Sequence, residues 1–325
     1  MLFDLHPKES RKELFGRDEE YRVLEKLLES EWVVVLGGRM VGKTSLVKTF
    51  AKEHDGIYVN LSGVRSFKDF VFSLASQVGY FLKDVGLNLK FVEFRWSRLA
   101  DDVFLRLESR KFIVLDEVQY VSSVYFLRLL KRIWDTYPDI RMIFTGSMVG
   151  VINKLLNPSS SSPLYGRRPA VLVLKPFSRE LSKKFLYRGF SEFGMRISDD
   201  EVDTVTNKLD GYPGWLAYYG NFRCVRGFGM IDALNSVLEE GSKIFKDELE
   251  HFLTGKNRDI YVRILRILAD GGARWSELKD TFALNSKVLN DVLKNLVDAM
   301  FVSKENGYYY IADPILKNSI KSIKF

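Results

Sequence analysis

One stretch of eight residues decides the fold: Gly37-Gly38-Arg39-Met40-Val41-Gly42-Lys43-Thr44. It fits, at every fixed position, the pattern of a glycine, four variable residues and then Gly-Lys followed by Ser or Thr. Residues 32–36 before it are an apolar run, which predicts a buried strand of a parallel sheet. Residues 45–51 after it carry apolar side chains at helical spacing. Strand, loop and helix in this order indicate a phosphate-binding loop rather than an ordinary glycine-rich turn.

The residue types of this loop suit phosphate chemistry. Gly37 and Gly42 allow backbone turns that are closed to residues with a Cβ, so successive N–H groups can point at phosphate oxygens. Lys43 would reach the β- and γ-phosphates, and the Thr44 hydroxyl would ligate Mg²⁺. The competing interpretation leaves Lys43 merely solvated. The residues predicted to hold the nucleotide are Gly37, Gly38, Arg39, Met40, Val41, Gly42, Lys43, Thr44 and Ser45.

Composition bounds the class of protein. The chain has 325 residues, of which 46% are hydrophobic, so it can bury a sizeable core in two or three domains. It contains no apolar run of about 18 residues and begins without a signal peptide, which predicts a soluble, cytoplasmic protein with no membrane segment. A single cysteine, Cys224, excludes an internal disulfide and agrees with a reducing compartment.

The charge pattern is basic. The net charge is +7 and the isoelectric point is about 9.2, which suits an anionic partner, although surplus lysine is usually just a solvated surface. Only two glutamines accompany 49 Lys+Arg and 42 Asp+Glu residues. Few labile amides among many charges is a pattern reported for hyperthermophiles, so we expect a thermophilic source.

A second motif follows the loop by about 70 residues. Residues 112–115 are apolar and lead directly into Asp116 and Glu117, which describes a central strand that delivers two carboxylates to the crevice above the sheet. In a P-loop ATPase the aspartate holds Mg²⁺ and the adjacent glutamate can polarise the attacking water. We therefore assign Asp116 to the metal, together with Thr44, and Glu117 to the base. Gln119 could also position water, with a surface amide as the equal alternative.

Further polar residues lie where strands end or loops begin. Residues 141–145 predict a strand that is followed by Gly146 and Ser147. A polar side chain there can lie near the γ-phosphate, or the small residues simply terminate the strand. Arg167 and Arg168 follow a Ser- and Pro-rich stretch that we expect to be a mobile loop. A guanidinium there could sense the γ-phosphate, and an ordinary surface arginine is the competing account.

These motifs together resemble the archaeal ATPase family of P-loop proteins, within the AAA+ and STAND group. The resemblance rests on residues 15–20, 37–44, 115–119, 145–147, 164–167, 174–177 and 211–213. It implies an α/β fold with a five-stranded parallel ASCE-type sheet, in which the Thr145 strand separates the P-loop strand from the Asp116 strand. It also implies ATP/ADP as the nucleotide, with Pro213 against adenine and Arg17 on the other side, and Ser147 and Arg167 as γ-phosphate sensors. The lid helix at 215–219 lacks the early arginine that many AAA+ proteins use, which argues against a ring-type motor.

The C-terminal end has a different pattern. Three helical segments precede two short strands joined at Asn306-Gly307, the strongest short hairpin signal, and this order is typical of a winged helix. The predicted domains are therefore an ATPase domain at 1–177, a helical lid at 178–254 and a winged helix at 255–325. The last domain holds 12 Lys+Arg against 8 Asp+Glu, a net charge of +4. The helix predicted to read DNA would bury Val288, Leu289, Val292, Leu293, Leu296 and Val297 and expose Lys287, Asn290, Asp291, Lys294, Asn295 and Asp298. Base reading would fall to Ser286, Lys287 and Asn290.

Three functions remain open at this point. The first is a Mg²⁺-dependent ATPase in which Glu117 orients water, while Lys43, Mg²⁺ and Arg167 stabilise the transferred charge. The second is a slow-hydrolysing, ATP-gated switch whose winged helix binds double-stranded DNA, contacts a protein partner or autoinhibits. The third is a DNA loader that resembles replication initiators. It is less favoured, because such a protein would need a more basic recognition helix.

Overall fold

The computed structural model describes residues 1–64, 66–77, 112–118, 124–146, 151–209, 211–282 and 285–322. These residues form two compact units. One, called here the sheet unit, comprises residues 7–37 and 43–174. The other, the helical unit, comprises residues 1–6, 38–42 and 175–325. Residues 178–254 and 255–325 therefore share one unit, and their division into a lid and a separate domain stays a prediction.

The sheet unit alternates strands with helices. Its strands are β1 (Val33–Leu36), β2 (Ile57–Asn60), β3 (Phe112–Asp116), β4 (Arg141–Thr145) and β5 (Ala170–Val173). Its helices are α1 (Asp18–Leu28), α2 (Lys43–Glu53), α3 (Phe67–Gln77), α4 (Val124–Thr136) and α5 (Val151–Leu156). The strands pair in the order β2-β3-β4-β1-β5, and each pair is parallel. The predicted five-stranded parallel sheet is confirmed, as is the place of the Thr145 strand between the other two.

Burial explains why this sheet forms. Every residue of β1 and of β3 is buried, as expected of central parallel strands with helices on both faces. The acidic first turn of α1, at Asp18, Glu19 and Glu20, interacts favourably with that helix's dipole. Because all five strands run in one direction, their carboxyl ends lie along one edge. Asp116 ends β3 and Thr145 ends β4, so the chain brings both to that edge.

The helical unit contains two sets of elements. The first set is α6 (Arg179–Glu192), α7 (Asp199–Leu209), α8 (Pro213–Gly220), a π-helical turn at Asn221–Val225, and α9 (Met230–Leu253). The second set is α10 (Arg258–Asp270), β6 (Ala273–Arg274), α11 (Trp275–Phe282), α12 (Ser286–Asp298), β7 (Ser303–Glu305), β8 (Tyr308–Tyr310) and α13 (Pro314–Ser322). Side-chain caps fix two helix starts, since Ser178 accepts from the Leu181 N–H and Asn285 accepts from the Lys287 N–H.

The first residues of the chain are part of this helical unit. Phe3 is fully buried against Phe185 and Phe190, with ring centroids 6.0 and 5.4 Å away. Its ring lies so close to Gly189 and Gly220 that a Cβ on either would come within 2.2 or 2.3 Å of it. This contact could not be predicted from the sequence, because the site for the phenyl ring exists only once Gly189 and Gly220, on separate helices, pack together.

In the described residues, the C-terminal elements are a small sheet and four helices, of which α13 and strand β6 were not predicted. Strands β6, β8 and β7 pair antiparallel in that order, and Asn306-Gly307 joins β7 to β8 as expected. The expectation that α12 buries Val288 and Val297 is wrong, because Val288 is 40% exposed and Val297 is half-buried, whereas Leu289, Val292, Leu293 and Leu296 are buried. Asn295, which was expected to be exposed, is half-buried and donates to the Tyr261 hydroxyl at 2.8 Å. Val288 lies in the first turn of α12, which extends beyond the core. Within the described residues, no helix combines the length and the apolar character that crossing a membrane requires.

Candidate nucleotide site

The loop between β1 and α2 has a strongly turned backbone. Gly42 has φ +96°, a conformation that residues with a Cβ rarely adopt. Met40 has φ +60° and is one of the few residues other than glycine in this region of backbone space. The Lys43 ammonium donates to the carbonyl of Gly37 at 2.7 Å, so the lysine reaches back across the start of the loop. Ser45, in the first turn of α2, accepts the backbone N–H of Lys8 at 3.1 Å.

Two hydroxyl groups hold the carboxylate of Asp116, which is 1% exposed. Tyr58, on the neighbouring strand β2, donates to Asp116 Oδ2 at 2.6 Å, and Thr145, at the end of β4, donates to Oδ1. Burial, reinforced by the adjacent charge of Asp116, raises the pKa of Tyr58 far above its usual value. The phenol therefore stays protonated and remains a donor. Three adjacent strands thus fix one carboxylate.

Glu117 occupies a strained position beside Asp116. Its φ is +61°, in the left-handed region that costs a residue with a Cβ about 1–3 kcal/mol. Its backbone N–H points at Thr145 Oγ1, 3.4 Å away. Such strain persists where surrounding structure overdetermines it, and it concentrates at functional sites. The backbone turns at Glu117, directly after β3 ends at Asp116, so Glu117 does not continue the strand.

The donor set suits a magnesium ion. Mg²⁺ prefers oxygen ligands and is usually held by one or two protein groups together with phosphates and waters. The hydroxyl of Thr44 and the carboxylate of Asp116 provide such oxygens. Tyr58 and Thr145 are neutral donors, so they orient the Asp116 carboxylate without cancelling its charge. These residues fit the ion, and Thr44 and Asp116 would hold it.

The predicted arginines have carboxylate partners. Arg17 is 4% exposed and donates to Glu20 at 2.6 Å, while burial lowers its pKa and Glu20 opposes that effect. Arg167 forms a two-pronged pair with Asp135 of α4, from Nε to Oδ1 at 2.9 Å and from Nη2 to Oδ2 at 3.0 Å. The roles of Arg17 beside the nucleotide and of Arg167 at the γ-phosphate stay predictions.

Two other predicted residues lie outside the described part of the chain: Ser147 and Gln119. Pro213 is the first residue of α8, and within the helical unit its Cγ would lie 4.0 Å from a Cβ built on Gly42. The contact of Pro213 with adenine remains a prediction. The structure shows only that Pro213 lies close to Gly42 of the loop.

Sequence reasoning missed Tyr58. The alternation of buried Ile57 and Val59 with half-buried Tyr58 places the tyrosine on the opposite face of β2. Its partnership with Asp116 also requires that β2 pair with β3, with Asn60 opposite Asp116. A tyrosine near the end of a strand was the only signal in the sequence. Thr145 was named as the end of its strand, but its bond to Asp116 was not foreseen.

The parallel sheet, the loop that ends at Lys43 and Thr44, and the carboxylates at the end of β3 define a P-loop NTPase. A family model described as an ATPase domain predominantly from Archaea matches residues 14–219. The chain belongs to this archaeal ATPase family, as the motifs predicted.

Solved structures and a curated relative agree with this placement. The Walker-type ATPase PABY2304 of Pyrococcus abyssi is 32% identical, with a TM-score of 0.84 over 99% of this chain and 100% of that one. The ORC2 protein of Aeropyrum pernix, solved as ADPNP-ADP complexes, shares the fold at 14% identity, with a TM-score of 0.63 over 99% of this chain and 97% of that one. An uncharacterized protein of Methanocaldococcus jannaschii, MJECL04, is 23% identical over 91% of this chain, and the match spans 66% of that relative's length.

Proposed function

We propose that this protein binds and hydrolyses ATP with Mg²⁺, using the loop at 37–44 and the two carboxylates that end β3. The observation that carries the proposal is the buried Asp116 carboxylate, which two hydroxyls orient at the edge of the sheet where Thr145 also ends its strand. Burying a carboxylate costs free energy, and we infer that its role in binding the metal ion is the reason this aspartate lies here. Membership of an ATPase family supports the same conclusion.

The chain's own groups divide the chemistry among them. The backbone N–H groups of residues 38–44 would surround the β-phosphate, and Lys43 would move from the Gly37 carbonyl to the β- and γ-phosphate oxygens. Thr44 and Asp116 would hold the magnesium ion, which neutralises charge on the phosphates when bound. Glu117 would accept a hydrogen bond from the attacking water and orient it in line with the γ-phosphate.

Steady-state hydrolysis of ATP, followed by phosphate release over a series of temperatures, tests this proposal. Wild type should turn over only with Mg²⁺, and both Lys43→Ala and Glu117→Gln should abolish turnover. The two variants differ in binding, because Lys43→Ala removes a phosphate contact and Glu117→Gln, an isosteric change, does not. If ATP binds but wild type turns over no faster than Glu117→Gln, the assignment of the base is refuted and the ATP-gated switch takes its place.

A second candidate function, contact with double-stranded DNA, rests on α12. Its first turn is exposed at Ser286, Lys287 and Val288, and Lys294 pairs with Asp298 at 2.5 Å. This pair neutralises Asp298, one of the two acids that would repel phosphates, together with Lys294, so the exposed first turn carries the proposed contact. The Asn290 amide oxygen accepts a hydrogen bond from the Trp275 indole N–H at 2.7 Å, and this bond fixes the orientation of the amide group. A winged helix that reads DNA through Ser286, Lys287 and Asn290 is the module we propose.

Fluorescence anisotropy with a labelled duplex at several salt concentrations tests this second function. Lys287→Glu should weaken binding and reduce the salt slope by about one or more. Lys246→Glu, the same change at an exposed position of α9, should leave the affinity and the salt slope nearly unchanged. Equal effects of the two substitutions would show attraction by net charge only. If wild type does not bind the duplex at all, DNA binding is refuted and contact with a protein partner is the remaining function for this module.

A further inference from the structure

The middle of the phosphate-binding loop belongs to the helical unit. Residues 38–42 cluster with that unit, while residues 37 and 43 belong to the sheet unit. The backbone N–H of Gly214, the second residue of α8, donates to the carbonyl of Met40 at 3.0 Å. A backbone hydrogen bond from α8 therefore holds the loop residue whose φ is +60°.

Gly214 also makes room for Met40. A Cβ on Gly214 would lie 2.6 Å from Met40 Sδ, 2.8 Å from its Cβ and 3.1 Å from its Cα. The first two distances are shorter than real Cβ contacts, and one of the crowded atoms is the Cβ of Met40 rather than the end of its side chain. Only glycine at 214 lets the two backbones approach this closely.

Two neighbouring contacts reinforce the same attachment. Arg39, next to Met40, pairs with Glu248 of α9 at 2.9 Å. Pro213, next to Gly214, comes within 4.0 Å of a Cβ placed on Gly42. Contacts of residues 39 and 40, and the close approach of Pro213 at residue 42, thus connect the loop to α8 and α9. The Arg39 pair is exposed and contributes little alone, so the backbone contact of Met40 carries the attachment.

We propose that Gly214 is a positioning residue for nucleotide binding: its N–H and its missing side chain hold Met40 in the left-handed conformation that aims the loop's N–H groups at phosphate. This inference rests on the proposed function of the loop. Methionine does not favour that conformation by itself, and α8 supplies the constraint. Gly214 touches no phosphate and acts through Met40.

A double-mutant cycle between Gly214→Ala and Met40→Gly tests the proposal. The affinity for a fluorescent ATP analogue is measured alongside the melting temperature and, where turnover is present, kcat and KM. Gly214→Ala should weaken binding about tenfold or more and raise KM more than it lowers kcat, because misdirected N–H groups weaken the hold on ground state and transition state alike. In the Met40→Gly background the same change should cost no more than about twofold, because the crowded sulfur and Cβ are gone and glycine adopts this φ freely.

Helix propensity alone predicts the opposite effect of Gly214→Ala on stability and no effect on nucleotide binding. Alanine is a better helix former than glycine, so a purely local role of Gly214 in α8 would leave binding intact and raise the melting temperature slightly. Gly271→Ala, in the same unit, is the matched control, because a Cβ there meets nothing within 4 Å. If Gly214→Ala alone does not fold, the double variant must fold and bind.

The outcomes separate the two proposals. If wild type binds the analogue and Lys43→Ala does not, the loop is a nucleotide site whatever Gly214 does. Unchanged affinity of Gly214→Ala in that case overturns the positioning role, as does a double variant no better than Gly214→Ala alone. If wild type itself fails to bind any adenine nucleotide, the proposed function fails instead.

Discussion

Asp116 in the sheet unit and Asp313 in the helical unit are both buried, with 1% and 8% of their surfaces exposed. Asp116 accepts two side-chain hydroxyls, from Tyr58 and Thr145. Asp313 precedes Pro314 at the start of α13 and accepts the backbone N–H groups of Ile315 and Leu316 at 2.8 and 3.1 Å. It also accepts the indole N–H of Trp215 in α8 at 3.0 Å.

The difference between the two lies in what surrounds them. The donors to Asp313 come from a helix end and a buried ring, which is how a core satisfies an N-cap. Burial raises the pKa of Asp313 to about 6, so its charge is costly where it lies. Asp116 instead ends a central strand at the ligand edge of a parallel sheet, beside a strained glutamate. Burial alone therefore does not distinguish a carboxylate that we propose binds Mg²⁺ from one that stabilises the fold.

The sharpest test of this contrast replaces Asp116 by asparagine. Asp116→Asn should lower ATP turnover by about 100-fold or more, because an amide holds Mg²⁺ far more weakly than a carboxylate. The melting temperature should change little, since asparagine still accepts a hydroxyl. Phosphate release and calorimetry on the same preparations measure the two effects. Turnover within about tenfold of wild type would make Asp116 as structural as Asp313.

The pH dependence of stability isolates Asp313. Its pKa is about 6 in the folded chain and near 3.8 in the unfolded chain, so folding favours the protonated form. The resulting stabilisation is complete below about pH 4 and is lost as the pH rises through about 6, a change of up to about 3 kcal/mol. Asp313→Asn is neutral throughout and lacks this loss.

The measurement for Asp313 is the difference between two unfolding curves. Asp313→Asn should gain stability relative to wild type between pH 4 and pH 6 and keep a constant difference above that range, as followed by urea unfolding at several pH values. Comparing the two proteins cancels the opposite trend from carboxylates such as Glu9, whose pKa Lys48 and Lys52 lower to about 2. Parallel curves across this range would contradict a buried, neutral Asp313.

Removal of the Asp313 side chain probes its structural role. Asp313→Ala leaves the Trp215 indole and the two backbone donors without their acceptor, which should destabilise the chain by about 1–3 kcal/mol. Turnover measured well below the melting temperature should fall far less than in Asp116→Asn. A loss of turnover equal to that of Asp116→Asn, with no change in melting temperature, would assign Asp313 to chemistry and end the contrast.

Tyr58→Phe tests whether the hydroxyl groups that hold Asp116 affect its proposed binding of Mg²⁺. The change removes one hydroxyl and should raise the Mg²⁺ concentration needed for half-maximal nucleotide binding and turnover by about tenfold. Nucleotide binding without Mg²⁺ should stay as in wild type. Tyr125→Phe, the same change at an exposed tyrosine, should leave the Mg²⁺ dependence as in wild type. A Mg²⁺ dependence identical to that of wild type would show that Thr145 alone orients the carboxylate.

The sequence predicts the nucleotide loop and both carboxylates because fixed local spacing encodes them. The strand before Gly37 and the acids after Leu115 need no distant contact to be recognised. The sheet order followed from the family resemblance, since apolar runs do not state which strands pair.

What the sequence did not predict depends on contacts between distant segments. Tyr58 reaches Asp116 only once β2 and β3 pair in register. Gly214 reads as the second residue of a helix, and its closeness to Met40 exists only after α8 and the loop pack together. Helix α13, which Asp313 precedes, was not predicted, and the hydrogen bond from the Trp215 indole to Asp313 exists only once α8 and α13 pack together.

Hydrolysis by Glu117→Gln under single-turnover conditions tests the central claim most directly. Wild type and variant are loaded with ATP, binding is confirmed by recovery of the bound nucleotide, and Mg²⁺ starts the reaction. The account predicts that both proteins bind ATP with similar affinity and that only wild type converts it to ADP at an appreciable rate. Equal rates of conversion by the two proteins would contradict the role of Glu117 as the base.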